Sequence, residues 1–132
     1  MLKPDNRLSK VRDFNLIIKH GQWAGGNFLT LKWLNLAKIR NYFPKKENPD
    51  KFEKQLRLAF SVGLKVDKRA VVRNRAKRQL REVVRLIIKD GRLKAGYYLM
   101  FVAKPAIKEK NYAEISQEVE LLLNRVHVTR NA

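Results

Sequence analysis

Residues 65–91 read KVDKRAVVRNRAKRQLREVVRLIIKDG, a stretch in which apolar and basic residues share one helical period. At 100° per residue, one set of apolar positions falls within a sector of about 80°: Val72, Ala76, Leu80, Val83 and Ile87. A basic set occupies a neighbouring sector of about 140°: Arg73, Lys77, Arg78, Arg81 and Arg85. We call these five cations the cationic stripe. One face of the predicted helix should therefore pack, while the other presents the stripe.

The start of this helix carries an unusual charge. Asp67 is the predicted N-cap and Gly91 follows the predicted end. Lys68, Arg69 and Arg73 fall in the first two turns, where the helix dipole favours carboxylates and disfavours cations. Backbone N–H groups at that end, together with these side chains, would form a site for phosphates.

Most runs of charge are solvated faces, but the composition argues against that interpretation here. Glu82 is the only acid between Lys68 and Arg85, so pairing along the helix cannot explain the basic face. The whole chain has a formal net charge of +18 and a sequence pI of about 10.6. A polyanionic partner is therefore expected, with nucleic acid favoured over an anionic membrane surface.

Length and composition exclude several classes of protein. The 132 residues suit a single domain, predicted over 1–132, and the absence of cysteine excludes disulfides and thiolate sites. No apolar run approaches the roughly 20 residues that span a bilayer. Pro4, Asp5 and Arg7 interrupt any apolar core of a signal peptide. A soluble cytoplasmic protein is expected.

The remaining elements are predicted from periodicity and from turn residues. A helix is expected from a Ser9 cap to about His20, and another from a capping box formed by Asn111 and Glu114. Three segments have strand patterns: Phe28–Ala37, Leu56–Leu64 and Tyr97–Ala103. Three further segments complete the chain: an extended basic segment over 1–8, a mobile loop over 40–54 and a frayed tail over 127–132.

The chain shows no pattern for its own catalytic chemistry. Its twelve acids are scattered without metal-ligand spacing, and His20 and His127 lie far apart in sequence. No catalytic residue, metal site, small-molecule substrate or protein-bound cofactor is predicted.

The segment VVRNRAKR at 71–78, followed by LRE at 80–82, resembles the RNR signature helix of the bacterial ribonuclease P protein family. Further matching motifs occur in order along the chain: Arg7-Leu8, Asp13-Phe14, Lys19-His20-Gly21, Arg57-Leu58, Ser61-Val62, Gly96-Tyr97 and Ala103-Lys104-Pro105. An RNR triplet alone would be weak evidence for this family, whereas the ordered set of motifs is specific to it.

The resemblance implies a fold and a role. The fold would be an α+β sandwich of about four strands and three helices in the order αβββαβα, similar to one domain of a small-subunit ribosomal protein. The basic helix would cross between two parallel strands. The resemblance also implies that a large RNA subunit is the catalyst, with Mg²⁺ supplied through that RNA. The protein would be a subunit of this tRNA 5′-maturation endonuclease, binding the catalytic RNA and the 5′ leader of precursor tRNA.

Candidate contacts follow from the resemblance and from the basic helix together. Those with the catalytic RNA are Lys65, Lys68, Arg69, Arg73, Asn74, Arg75, Lys77, Arg78, Arg81 and Arg85. Those of a leader-binding cleft are Phe14, Ile18, Lys32, Arg57 and Phe60. Ile18 and Lys32 stand where the family often has aromatic residues, which removes stacking surfaces worth about 1–3 kcal/mol each.

Two alternatives remain open at this stage. A ribosomal or general structural RNA-binding protein would be equally small and basic, and would bind RNA without affecting cleavage. An architectural DNA-binding protein would prefer duplex DNA to structured RNA.

Overall fold

The computed structural model describes residues 2–42 and 54–129. Its helices and strands are α1 (Val11–His20), β1 (Gln22–Gly25), β2 (Leu29–Asn35), β3 (Leu56–Ser61), α2 (Ala70–Lys89), β4 (Tyr97–Ala103) and α3 (Tyr112–Arg125). This α+β architecture and the order αβββαβα confirm the predicted fold. The fourth strand, which no sequence pattern located, is β1. It forms a hairpin with β2 through the Gly25-Gly26 turn.

The four strands form one mixed sheet in the order β1-β2-β4-β3. β3 and β4 are parallel, and α2 connects them, as predicted. The pairs β1–β2 and β2–β4 are antiparallel. β4 is therefore a central strand, and its near-continuous apolar sequence follows from neighbours on both edges and helices over both faces.

Helices cover the two faces of the sheet unequally. α2 and α3 pack on one face over the larger apolar cluster, to which α2 contributes four predicted residues and Val84. The four are Ala76, Leu80, Val83 and Ile87, whereas Val72 is half-buried. α1 packs on the other face, where Ile17, Leu34 and Tyr98 belong to a smaller cluster that also includes Leu36 and Ile39.

The predicted helix caps were right for α3 and wrong for the other two helices. Asn111 accepts a hydrogen bond from the Glu114 N–H at 2.9 Å, and the Glu114 carboxylate accepts one in return from the Asn111 N–H. α1 begins after Lys10 rather than at a Ser9 cap, and α2 begins after Arg69. Lys10 and Arg69, which lie after the predicted caps, have extended geometry, so each first helical turn starts later.

The ends of the chain are packed more firmly than the sequence suggests. Pro4–Asn6 form a turn of 3-10 helix within the segment expected to be extended. Arg7 then bridges Leu58 along the free edge of β3. At the other end Val128 is fully buried and Thr129 bridges Leu93, so the first part of the predicted frayed tail contacts the fold.

The predicted mobile loop over 40–54 lies mostly outside the described residues. Leu36–Tyr42, which includes the first residues of that range, form two short 3-10 turns with a kink at Ile39.

Candidate nucleic-acid interface

The cationic stripe runs along the flank of α2 beside β3. The spacing of four residues between Arg73, Lys77, Arg81 and Arg85 places them in a row at the border of the packed face, where each is half-buried. Arg78 lies farther out and is exposed. The long aliphatic stems of the border residues can therefore cover apolar surface while their charged ends reach solvent.

Some of the predicted RNA-binding cations already have partners within the protein. Arg73 Nη1 donates to the backbone oxygens of Asp67 (3.0 Å) and Lys68 (2.8 Å), which braces the turn before α2. Arg85 pairs with Glu82 at 2.7 Å, and these hydrogen bonds lower the pKa of Glu82 below its usual range.

A second group has no such contacts. Within the part of the chain that the structure describes, six of the predicted side chains make no hydrogen bond or ion pair: Lys65, Lys68, Asn74, Arg75, Lys77 and Arg78. Their donors are available to a ligand.

Arg75 lies on a different side of α2 from the stripe. It lines a hollow of about 420 Å³ between α2 and the 3-10 turn Pro105–Glu109, together with Arg69 and Lys108. Asn74, Lys77 and Arg81 instead line the groove on the β3 side. The predicted contacts therefore wrap about half the circumference of the helix, and a single phosphate backbone would not touch all of them.

The groove between α2 and β3 has a volume of about 390 Å³. Its lining includes Arg7, Asn74, Lys77 and Arg81 but no acid. Phe60 forms part of the wall and stacks on Phe101, with ring centroids 6.1 Å apart. The surface combines amide, cationic and aromatic groups, which suits RNA.

The position of Phe60 corrects one prediction. The resemblance predicts Phe60 in a leader cleft with Phe14, but Phe60 packs on the α2 face of the sheet, whereas Phe14 packs on the α1 face. Side chains alternate along a strand, so Arg57 and Phe60 cannot point to the same side.

Asp67 shapes the basic turn instead of capping the helix. Its Oδ1 accepts from the Arg69 backbone N–H at 2.8 Å, and its carboxylate pairs with the Arg69 guanidinium at 3.1 Å. Hydrogen bonds from Arg69 hold the pKa of Asp67 well below its usual range. Lys65 and Lys68, on either side of this turn, remain exposed.

The opposite face of the sheet is only partly covered by α1. Strand register aligns one row as Trp23, Lys32, Met100 and Ala59, and the next row as Gly25, Thr30, Val102 and Ser61. We call six of these residues the cleft floor: Thr30, Lys32, Ala59, Ser61, Met100 and Val102. All but Lys32 are half-buried or exposed. Four strands give this surface a width of about 14 Å.

α1 forms the wall of this cleft. Phe14 packs against the smaller cluster, as Met100 and Ala59 of the floor do, and Ile18 is 57% exposed. The wall is fixed from below by Asp13, which is almost fully buried beside Tyr98. Burial of the hydroxyl, together with the Asp13 carboxylate, raises the pKa of Tyr98 above its ordinary value.

Two predicted cleft cations are held by protein groups. Lys32 Nζ donates to the Ile18 carbonyl at 2.7 Å, near the end of α1. Arg57 Nη1 donates to the Arg7 carbonyl at 3.0 Å, which ties the N-terminal segment to β3. Both side chains therefore support the cleft, and the rest of the floor consists of two hydroxyl residues, Thr30 and Ser61, and three apolar ones.

The described residues include no group of histidine, aspartate and glutamate side chains that could hold a metal ion. None of the helices in the described ranges is long and apolar enough to cross a bilayer.

Comparison with known proteins gives the family of the chain. The family model for ribonuclease P matches residues 2–127. The chain belongs to the ribonuclease P protein family. Among curated ribonuclease P protein components, one from a Cyanothece species is 31% identical, with 97% of each chain covered. One from Thermobifida fusca is 34% identical, over 96% of this chain and 79% of that protein.

Solved structures of ribonuclease P proteins show the same fold. The protein from Staphylococcus aureus gives a TM-score of 0.71 at 23% identity, covering 94% of this chain and 97% of its own. The protein from Thermotoga maritima gives 0.68 at 22% identity, with 91% and 96% covered.

Sequence reasoning missed most of the cleft floor of this ribonuclease P protein. Met100 and Val102 belong to the apolar run of β4, where both faces look alike and no alternation marks the open one. Ser61 and Thr30 carried a usable signal, because they share strand faces with Arg57 and Lys32.

Proposed function

We propose that this chain is the RNA-binding subunit of ribonuclease P and holds two RNA elements on opposite faces of its sheet. The catalytic RNA would lie along α2, and the 5′ leader of precursor tRNA would lie in the cleft beside α1. The observation that carries this proposal is the placement of unpartnered cations on one side and an open sheet surface on the other.

The α2 surface would bind phosphates. Lys77 and Arg78 supply donors without internal partners among the described residues, and Asn74 adds an amide beside them. Guanidinium groups fit phosphate oxygens in two-point geometry, so the contact is directional as well as electrostatic. If six or more phosphates are neutralised, affinity should fall by about 10³-fold or more between 50 and 200 mM salt.

The cleft would bind unpaired nucleotides without doing chemistry. The six residues of its floor include no carboxylate or imidazole to act as a general base, while Phe14 and Met100 offer contacts to base faces. Leader binding would therefore raise substrate affinity, while the catalytic RNA and its Mg²⁺ carry out hydrolysis. Segment 62–69 joins the floor to α2, so the two RNAs would meet near the basic turn.

Reconstitution tests this function directly. The protein is added to a bacterial ribonuclease P RNA at low Mg²⁺, and release of the leader from precursor tRNA is followed, with each component alone as a control. Cleavage only in the mixture supports the proposal. RNA binding without any change in cleavage would favour a structural RNA-binding protein, and cleavage by the protein alone would contradict the assignment of chemistry to RNA.

The division between the two surfaces has its own test. Phe14→Ala should weaken binding of leader-bearing substrate and leave affinity for the catalytic RNA unchanged. Lys77→Ala with Arg78→Ala should do the reverse. Equal losses of both affinities in both variants would contradict the two-surface arrangement.

A further inference from the structure

Trp23 stands at the outer end of the cleft and belongs to neither apolar cluster. It lies on β1, in the same cross-strand row as Lys32 and Met100 of the cleft floor. Its side chain is 56% exposed, whereas Trp33, the second tryptophan, packs against the larger cluster. A large exposed indole forgoes the apolar burial that usually fixes tryptophan in a fold.

The indole is nevertheless held in place. Lys32 Nζ lies 4.8 Å from the centroid of the Trp23 ring and donates to the Ile18 carbonyl at 2.7 Å. Lys32 itself is only 7% exposed, so the ammonium is fixed between the end of α1 and the ring. The cation–π contact supports one side of the indole and restricts its rotation.

Gly21 makes room for this arrangement. A Cβ atom at Gly21 would lie 3.1 Å from both Cγ and Cε of Lys32 and would clash with the Ile17 carbonyl oxygen. Only glycine lets the chain leave α1 while the Lys32 stem passes beneath it. The support of Trp23 is thus built into the junction between α1 and β1.

We propose that Trp23 is a stacking platform for an unpaired RNA base at the edge of the sheet distant from α2. Every base has a π-face, so such a platform accepts any sequence. The net charge of +18 favours RNA over a protein segment as the occupant. Lys32 stands where the family often has an aromatic residue, so the sequence alone indicated a lost stacking surface. In the structure Lys32 instead supports the Trp23 ring, which would provide stacking in its place.

The proposal deepens the proposed leader site and predicts a dependence on leader length. The floor between β3 and β1 is about 14 Å wide. A strand that enters beside segment 62–69 must cross this floor before it reaches Trp23. Short leaders would therefore gain nothing from the indole, and longer ones would.

Tryptophan fluorescence tests stacking without any cleavage assay. Trp33→Phe leaves Trp23 as the only tryptophan, and Trp23→Phe leaves only Trp33. Single-stranded oligoribonucleotides of about eight nucleotides are long enough to cross the floor. They should quench the fluorescence of the first variant and not that of the second. An abasic oligomer of equal charge should quench neither. Quenching by the abasic oligomer, or none by the RNA, would overturn the proposal.

Substrate binding by the holoenzyme gives the second test. Trp23→Ala should weaken binding of a precursor with a long leader by about fivefold or more, while Trp23→Phe retains most of the affinity. A precursor with a one-nucleotide leader should bind both variants as it binds the wild type. Equal effects on both precursors, or no effect on either, would overturn the proposal that Trp23 is a stacking platform. The proposed function would still stand if the wild-type protein promotes cleavage.

The two failures are distinguishable. If the wild-type protein does not promote cleavage by the RNA, the proposed function fails, and the fluorescence titration alone then decides whether Trp23 stacks on RNA bases.

Discussion

α2 and α3 pack side by side on one face of the sheet but use their charges in opposite ways. Each acid of α3 has a partner in the protein. Glu114 closes the capping box, Glu118 accepts from the Asn27 and Phe28 N–H groups at 2.8 Å each, and Glu120 pairs with Arg92 at 2.7 Å.

α2 leaves several charges without partners. Arg75, Lys77 and Arg78 contact no acid among the described residues. Arg73 lies in the first turns, where the dipole opposes a cation, whereas Glu114 lies where the dipole favours an acid. A charge with an internal partner serves the scaffold, as the backbone-bound Arg73 does, whereas one without an internal partner is available to a ligand.

The largest expected effect comes from removing two unpartnered charges of α2. Lys77→Ala with Arg78→Ala should lower affinity for the catalytic RNA by about 10²-fold, because charge-assisted hydrogen bonds to phosphate are lost. The slope of log affinity against log salt should fall by about 2. Anisotropy titrations between 50 and 200 mM salt measure both quantities.

A matched control separates position from net charge. Arg92→Ala with Lys94→Ala removes the same charge from the segment after α2, outside the stripe. An equal loss of affinity in this variant would mean that only net charge matters, and the contrast between the helices would lose its functional meaning.

The next effect tests the acids of α3 as scaffold. Glu118→Ala should lower the free energy of unfolding by about 2 kcal/mol or more, because the buried Phe28 N–H and the Asn27 N–H lose their acceptor. Urea unfolding measures this change. Glu120→Ala removes an exposed pair and should cost at most about 1 kcal/mol. Similar losses in both variants would contradict the special role of Glu118.

Asp67 gives a smaller, pH-dependent effect. Because its folded-state pKa is depressed, its stabilisation is complete above the unfolded-state value of about 4 and declines as the pH falls below it. Urea unfolding should therefore show wild type more stable than Asp67→Asn at pH 6, with a narrower difference at pH 3. A difference that stays constant with pH would show that ionisation of Asp67 does not contribute.

The smallest effect concerns the one acid of α2. Glu82→Gln releases Arg85 from its ion pair and should raise affinity for the catalytic RNA by about threefold or less. Arg85→Gln should lower it. Binding titrations at one fixed salt concentration compare the two variants, and a fall in affinity for Glu82→Gln would show that the pair itself positions Arg85.

Local patterns were sufficient for much of the fold. The alternation of Leu29, Leu31 and Trp33 with Thr30 and Lys32 correctly separated the two faces of β2. The capping box of α3 and most of the packed face of α2 were also predictable, because their interactions connect residues only three or four positions apart.

Contacts between distant segments decided the rest. Nothing near Glu118 in sequence shows that its carboxylate holds the turn after Gly26. The approach is close, because a Cβ atom at Gly26 would lie 3.0 Å from Glu118 Cδ. The edge strand β1 has only four residues and ends in a glycine, so it is too short to show a period of two.

Motif spacing and helical periodicity were sufficient to predict the family, the order of the elements and the cationic stripe. The folded structure was needed to show that Phe60 faces α2, that Lys32 supports a ring, and that Trp23 borders the cleft. Cross-strand register brings together residues that are far apart in the chain, and no local pattern encodes that register.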